Sequence, residues 1–312
     1  MEPSFSNDQQ FPLPWTDARN ESLSGLAMRA YLRLTKPRIT LLIAISTAVA
    51  YCYGSNSAFH WFRFLNAVVG ASLMAAGAAT LNQWWERGID AKMNRTKSRP
   101  IPSGIVPPQH AVLFGAAVSL LGLLELWAFN NVLAAALGLL TSAGYLLLYT
   151  PLKQKHPVCT TIGAVPGAMP ALIGFAAASS RLTLDAWVLF GILFLWQFPH
   201  FHAIAWIYRE DYERAGVKML AVMRPYGRAL TFEIVSTLLL LIPMTLAPTA
   251  LHMAGNVYLF AALLLDLALL YFGVRLAWER SRPSARQLLL ASVLYIPVLF
   301  AFLVFDSPRF LL

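Results

Sequence analysis

Asn82, Glu86 and Asp90 stand at four-residue intervals in NQWWERGIDAKMNRTKSRP, residues 82–100, and Arg95, Lys97 and Arg99 follow at once. On a helix, successive members of such a series drift by only about 40° around the axis, so an amide and two carboxylates share one face. Oxygen donors converging from one face suit a hard cation. Mg2+ takes one or two carboxylates together with substrate phosphates and water. The bases that follow can grip phosphate oxygens through charge-assisted hydrogen bonds. The stretch ends the apolar run FLNAVVGASLMAAGAATL, so the pattern describes a grip for a diphosphate whose tail lies in a bilayer. The same spacing also suits a solvated helix end carrying i,i+4 ion pairs, and spacing alone leaves both readings open.

Two further stretches carry reactive residue types. WQFPHFHAIAWIYREDYERAGVKML, residues 196–220, supplies Glu210, Asp211 and Glu213 beside Arg209, Arg214 and Lys218, with Trp196, Gln197, His200 and His202 upstream. Two acidic clusters half a chain apart fit a pseudo-repeat with a cation at each. YTPLKQKHP places Tyr149 and Lys153 one helical turn apart. A lysine there can neutralise a leaving diphosphate, or simply mark the side of the membrane on which it lies.

The elements that must position these residues are membrane helices. The chain has 312 residues, 58% of them hydrophobic and 12% charged, and its mean hydropathy is +0.58. Soluble domains carry roughly 25% charged residues. The net charge of +9 sits in short clusters between apolar runs, which argues against a nucleic-acid surface. About 20 apolar residues cross a bilayer, and nine segments qualify: 39–56, 64–85, 110–129, 131–149, 160–178, 184–206, 229–248, 256–276 and 288–306. The third and fourth meet at Asn130–Asn131 as a tight hairpin. With the amino terminus in the cytosol, 21 of the 24 Lys and Arg residues fall on the cytosolic side, leaving Arg63, Arg181 and Arg309 outside. That is the positive-inside asymmetry, and it puts the carboxy terminus outside.

Residues 1–25 read as a polar cytosolic tail, and 26–312 as one transmembrane domain, with a short interfacial helix in SLSGLAMRAYLRLTKPR. The tail lacks the basic start and apolar middle of a signal peptide. It also carries four acids, unlike an acid-poor transit peptide, so the plasma membrane of a bacterium is expected. Cys52 and Cys159 form no metal or disulfide pattern. Gly163, Gly167 and Gly174 with Pro166 and Pro170 make a thin, kinked helix, for close packing or for a bulky ligand. Glu125, Glu233 and Asp266 lie inside spans, where carboxylates are costly. Partnering a Ser, Thr or Tyr is the simplest expectation for Asp266.

The stretches at 82–100, 149–174 and 196–220, with LTKPRITLL near the start, resemble the signatures of the protohaem IX farnesyltransferases of the UbiA superfamily of intramembrane prenyltransferases. The likeness spans about residues 30–305. It implies an all-α polytopic membrane protein, a UbiA-type bundle of nine transmembrane helices around a cavity, with cytosolic cap loops. It implies transfer of a farnesyl group from farnesyl diphosphate to a vinyl group of haem B, with addition of water, to make haem O for terminal oxidases or as the precursor of haem A. Mg2+ is the implied cofactor, and haem A synthase an implied associate.

By position, Asn82, Glu86 and Asp90 match the family's first metal–diphosphate motif, and Asp211 the second. These four are the implied metal ligands and, with Lys153, the catalytic set. Arg95, Arg99, Lys153 and Lys36 match diphosphate-holding positions, and His200, Trp196 and Tyr208 are the implied haem contacts. His200 can ligate iron, bind a propionate or cap a helix. The sequence departs from the pattern in places. Tyr208 and Tyr212 stand where many ring-prenylating relatives carry two aspartates, which puts a full second metal site in doubt. Cys159 and His156 replace residues common after the TPL signature, so loop 4–5 is expected to contribute less.

Trp84, Trp85, Trp196, Trp206 and Tyr208 fall near the expected mouth. They can line it or form an interfacial belt. Three other functions fit parts of the pattern. A UbiA-type enzyme acting on an aromatic acid or a chlorin lacks the WQFPHFH segment. A secondary transporter would place its charges at the midplane and not at one face. A non-catalytic haem-binding factor has no need of the acids and bases from Asn82 to Arg99.

Overall fold

The computed structural model describes residues 23–55 and 59–309. The polar tail expected over 1–25 lies, up to residue 22, outside the described residues. The described chain begins with α1, Leu23–Leu34. Its Ala30 and Leu34 pack on Ile101, Val106 and Ala111, while Met28 and Leu32 stay exposed. An amphipathic helix of this kind lies in a membrane interface.

Among the described residues nine helices are long and apolar enough to cross a membrane: α2 Pro37–Gly54, α3 Trp61–Trp85, α5 Pro108–Phe129, α6 Val132–Leu152, α7 Cys159–Ser179, α8 Leu184–Ile207, α11 Arg228–Ala250, α12 Asn256–Glu279 and α13 Arg282–Phe305. Short helices α4 Arg87–Asp90, α9 Arg209–Arg214 and α10 Leu220–Met223 lie between them. The order and number match the apolar runs of the sequence. Two boundaries shift for local reasons. The last span begins at Arg282 and not at 288, because Ser281 caps it through a reciprocal capping box with Ser284 and a proline occupies its first turn. The basic WERSRPSAR segment is therefore mostly helix. The fourth span runs on to Leu152 through a π-helical turn, Gly144–Tyr149. Pro151 has no N–H to give to the i−4 carbonyl. Just before it, the Thr150 N–H reaches back five residues to the Tyr145 carbonyl.

Small residues set the helix spacing. A Cβ on Gly77 of α3 would sit 2.6 Å from the Gly115 carbonyl oxygen of α5, so these backbones touch, as close-packed membrane helices do. The glycines of α7 are likewise filled by packing and leave no ligand space: Gly163 faces the Tyr149 ring, Gly167 faces Gln197 and Gly174 faces the Thr47 backbone. The Asn130–Asn131 hairpin is pinned from both sides. Asn130 Nδ2 donates to the Arg63 carbonyl at 2.9 Å, and Asn131 Nδ2 to that of Ala176 at 2.7 Å. Tyr53 of α2 donates to the Leu303 carbonyl of α13 at 2.6 Å, which ties the first span to the last at the end opposite the basic loops. Asp266 of α12 accepts from Thr245 of α11 at 2.5 Å and from Tyr295 of α13, the Thr and Tyr partners its buried position calls for.

Candidate active site

The acidic series holds its helical phase beyond the end of α3. The Glu86 N–H donates to the Asn82 carbonyl at 2.9 Å, and the Asp90 N–H to that of Glu86 at 2.8 Å. The three side chains therefore stack, and all are buried: Asn82 is 0%, Glu86 4% and Asp90 0% exposed. The solvated helix end is thereby excluded. Buried polar groups need partners, and each finds a cation or donor from a different segment. Lys36 Nζ donates to Asn82 Oδ1 at 3.0 Å. Asn82 Nδ2 donates to Thr150 Oγ1 at 3.1 Å. Lys153 Nζ lies 2.9 and 3.2 Å from the two Glu86 oxygens. Arg99 pairs with Asp90 Oδ2 at 2.7 Å. The other Asp90 oxygen, Oδ1, is buried with no hydrogen-bond partner.

Burial works against the charged form of Lys153, but the Glu86 carboxylate more than offsets it and holds the ammonium well above the usual lysine range. Burial also pushes Glu86 up, while Lys153 and Lys36 turn the net shift downward. Lys36 fares differently. Burial, and then the Arg99 guanidinium, bring it down to about 7. It sits at φ +49° between α1 and α2, in the left-handed region that costs a non-glycine residue some strain. That turn aims its side chain at Asn82.

The π turn of α6 aligns Tyr145, Tyr149 and Lys153. The two rings stack at 5.4 Å, and Lys153 Nζ lies 4.9 Å from the centre of Tyr149. Single π turns of this sort recur at functional sites. Despite its departures at His156 and Cys159, this segment supplies Lys153 and Thr150 to the acid stack.

Asp211 stands apart from the stack. Burial pushes its carboxyl up, but the backbone N–H groups of Arg95 and Asn94 and the Arg214 guanidinium hold it below the usual range. Those N–H groups lie at 3.1 and 3.3 Å, and Arg214 pairs with Oδ1. Asp211 thus ties the loop after α4 to α9, and its oxygens are already engaged. Arg95 completes the tie. Its guanidinium lies 4.8 Å from the Tyr208 ring centre and 5.8 Å from that of Tyr212, and donates to the Tyr212 hydroxyl at 3.3 Å. The tyrosines that replace acids thus hold a cation by their faces. Among the described residues no three or more His, Cys, Asp or Glu side chains are grouped to hold a metal ion. The oxygen set of the acid stack is one amide and two carboxylates, which suits Mg2+ completed by phosphate oxygens. The orphaned Asp90 Oδ1 fits such a cation.

The expected haem contacts split into two levels. Trp196 and His200 lie deeper on α8, stacked at 5.0 Å, whereas Tyr208 joins Arg95 at the loop end. Trp196 Nε1 donates to the Ser292 carbonyl at 2.8 Å, and His200 Nδ1 lies 2.9 Å from Ser292 Oγ. His202 faces away from His200, as its two-residue offset requires, with Nε2 3.4 Å from Glu233. Of the aromatic group, Trp196 and Trp206 are buried and Trp85 is exposed. Trp206 carries Arg209 at 5.4 Å. Ser292 carries no sequence signal of its own, and Thr150 little. Only the Thr–Pro step inside an apolar helix hinted at Thr150.

The profile of the UbiA prenyltransferase family matches residues 43–303. A protoheme IX farnesyltransferase of Solibacter usitatus is 50% identical over 290 residues, 90% of this chain and 99% of its own. One from Koribacter versatilis is 43% identical, covering 89% and 93%. A solved chain from work on digeranylgeranylglyceryl phosphate synthase superposes with a TM-score of 0.74 at 19% identity, covering 90% of this chain and 98% of its own. A UbiA homologue from Archaeoglobus fulgidus bound to GPP and Mg2+ gives 0.58 at 18% identity, covering 88% and 99%. The last two likenesses concern the fold.

Proposed function

The chain belongs to the UbiA prenyltransferase family and to its protohaem IX farnesyltransferase branch, and on that premise we propose that its acid stack and basic ring transfer the farnesyl group of farnesyl diphosphate to a vinyl group of haem B, with addition of water, yielding haem O. One observation carries the reading: three stacked, buried oxygen-bearing side chains each meet a donor or cation from another segment, and one carboxylate oxygen is left unpartnered.

Asn82, Glu86 and Asp90 would hold Mg2+, which when bound would supply Lewis-acid stabilisation of the negative charge that grows on the leaving diphosphate. Lys153, Arg99 and Lys36 already surround those ligands and are placed to take the diphosphate oxygens, as fixed cations aimed at developing charge. Arg95, on its tyrosine platform, closes the rim. Asp211 positions that rim by holding the backbone at 94–95, and its part in metal binding is limited to what Arg214 and two N–H groups leave free. Trp196 and His200 face the porphyrin. The helix-lined interior keeps bulk water from the allylic cation until the vinyl carbon has attacked.

The basic end faces the cytosol of a bacterial plasma membrane, with the amino terminus inside and the carboxy terminus outside. The support is the concentration of 21 of 24 Lys and Arg residues on that side. The test of the acceptor offers purified protein haem B and 4-hydroxybenzoate together, with farnesyl diphosphate and Mg2+. Mass spectrometry is expected to find prenylation of haem alone. Prenylated hydroxybenzoate with unmodified haem overturns the assignment.

A further inference from the structure

The geometry points to His200 as the base that takes the proton from the water adding to the haem vinyl group, with Ser292 fixing the tautomer that makes this work. The inference rests on the function proposed above and concerns its second half.

Ser292 has one hydroxyl hydrogen and two neighbours for it. Its Oγ lies 2.7 Å from the Leu289 carbonyl one turn back on α13 and 2.9 Å from His200 Nδ1. The carbonyl can only accept, so it takes the hydroxyl hydrogen. Nδ1 must then be the donor to Oγ, because a neutral imidazole carries one N–H and one lone pair. That leaves the lone pair on Nε2. Among the described residues Nε2 makes no hydrogen bond, and the ring is only partly buried. The imidazole plane is fixed on its other sides: Trp196 stacks on it at 5.0 Å and is itself anchored through Nε1 to the Ser292 backbone, while Phe201 lies 5.9 Å away. His200 is seven residues inside the end of α8, about 10 Å deep at 1.5 Å per residue.

The vinyl π electrons form the new C–C bond to the farnesyl C1, and the C1–O bond electrons leave with diphosphate. The vinyl carbon next to the ring is then cationic. A water oxygen adds to it, and one of its protons passes to His200 Nε2. Water bonded to a carbocation is a strong acid, so a neutral imidazole with a free lone pair suffices to take its proton. Without a base for the water, the cation instead loses a proton from the adjacent CH2 to the departed diphosphate and gives a farnesylated alkene, lighter than the normal product by one water.

The test uses the full chain in detergent with haem B, farnesyl diphosphate and Mg2+, and reads the extracted haem by mass spectrometry. For His200→Gln the ratio of hydroxylated to dehydrated product, read on whatever farnesylated haem is formed, is expected to fall by at least about tenfold. An unchanged ratio, at whatever rate, overturns the proposal. A shifted visible spectrum of bound haem with an unchanged ratio makes His200 an iron ligand and overturns it too. Ser292→Ala keeps the imidazole but frees its tautomer, and guards against a His200 variant that does not fold. It is expected to lower the ratio about two- to fivefold, and a wild-type ratio overturns the tautomer assignment. Absence of any farnesylated haem from the unaltered protein contradicts the function itself, and not this step.

Discussion

Lys153 Nζ is bonded to both carboxylate oxygens of Glu86, at 2.9 and 3.2 Å, across 67 residues of sequence. The pair joins the end of α3 to the end of α6, and its partners expose only 21% and 6% of their side chains. Removing Lys153 takes from the buried Glu86 the cation that bonds both its oxygens and leaves only the more distant influence of Lys36. Lys153→Met is therefore expected to destabilise the protein by about 3–5 kcal/mol, and the double variant Lys153→Met/Glu86→Gln by clearly less. Thermal unfolding in detergent measures both. Equal losses in the single and the double variant contradict the coupling.

Asp211 holds two backbone N–H groups of the preceding cap loop. Asp211→Ala is expected to raise amide hydrogen exchange at Asn94 and Arg95 by at least about tenfold, since a hydrogen bond to a charged acceptor is worth roughly 1.5–3 kcal/mol. The apparent Mg2+ requirement is expected to change little. A large rise in that requirement with unchanged exchange makes Asp211 a metal ligand.

Arg95 rests on two rings, so the hydroxyl of Tyr212 matters less than its face. Tyr212→Phe is expected to keep the KM for farnesyl diphosphate within about twofold. Tyr208→Leu/Tyr212→Leu removes the platform and is expected to raise it about tenfold, in line with about 0.5–2 kcal/mol for a cation–π contact. Steady-state kinetics distinguishes them.

Gly77 meets the Gly115 carbonyl with no room for a methyl group. Gly77→Ala is expected to cost about 1–3 kcal/mol through overpacking and to lower the yield of folded protein in size-exclusion chromatography. Gly88, which has open space around its Cβ position, is the control, and Gly88→Ala is expected to leave the yield unchanged.

The sequence made the helices legible because apolar length is a local property. It also made the stack of Asn82, Glu86 and Asp90 legible, because helical phase follows from spacing. It mislaid the start of the last span, since the basic residues around Ser281 suggest a loop while capping puts them in the helix. The π turn was hidden in the single Thr–Pro step before Leu152. Which side chain pairs with which in the site was not legible. Ser292 lies 92 residues from His200, and nothing in the spacing of Asp211 says that it accepts from the backbone N–H groups of Asn94 and Arg95. Those relations belong to helix packing, which one sequence does not encode locally.

The central claim is that the acid stack binds the metal–diphosphate group, and Asp90 tests it most directly. Its side chain is fully buried, pairs with Arg99, and keeps one oxygen free. Asp90→Asn preserves its shape and removes its charge. Single-turnover conversion of haem B by farnesyl diphosphate at saturating Mg2+, read by mass spectrometry, is expected to slow by at least about a hundredfold, with the variant still folded and monodisperse in detergent. Near-normal turnover would contradict the account, because a metal–diphosphate grip cannot lose that carboxylate and keep its rate.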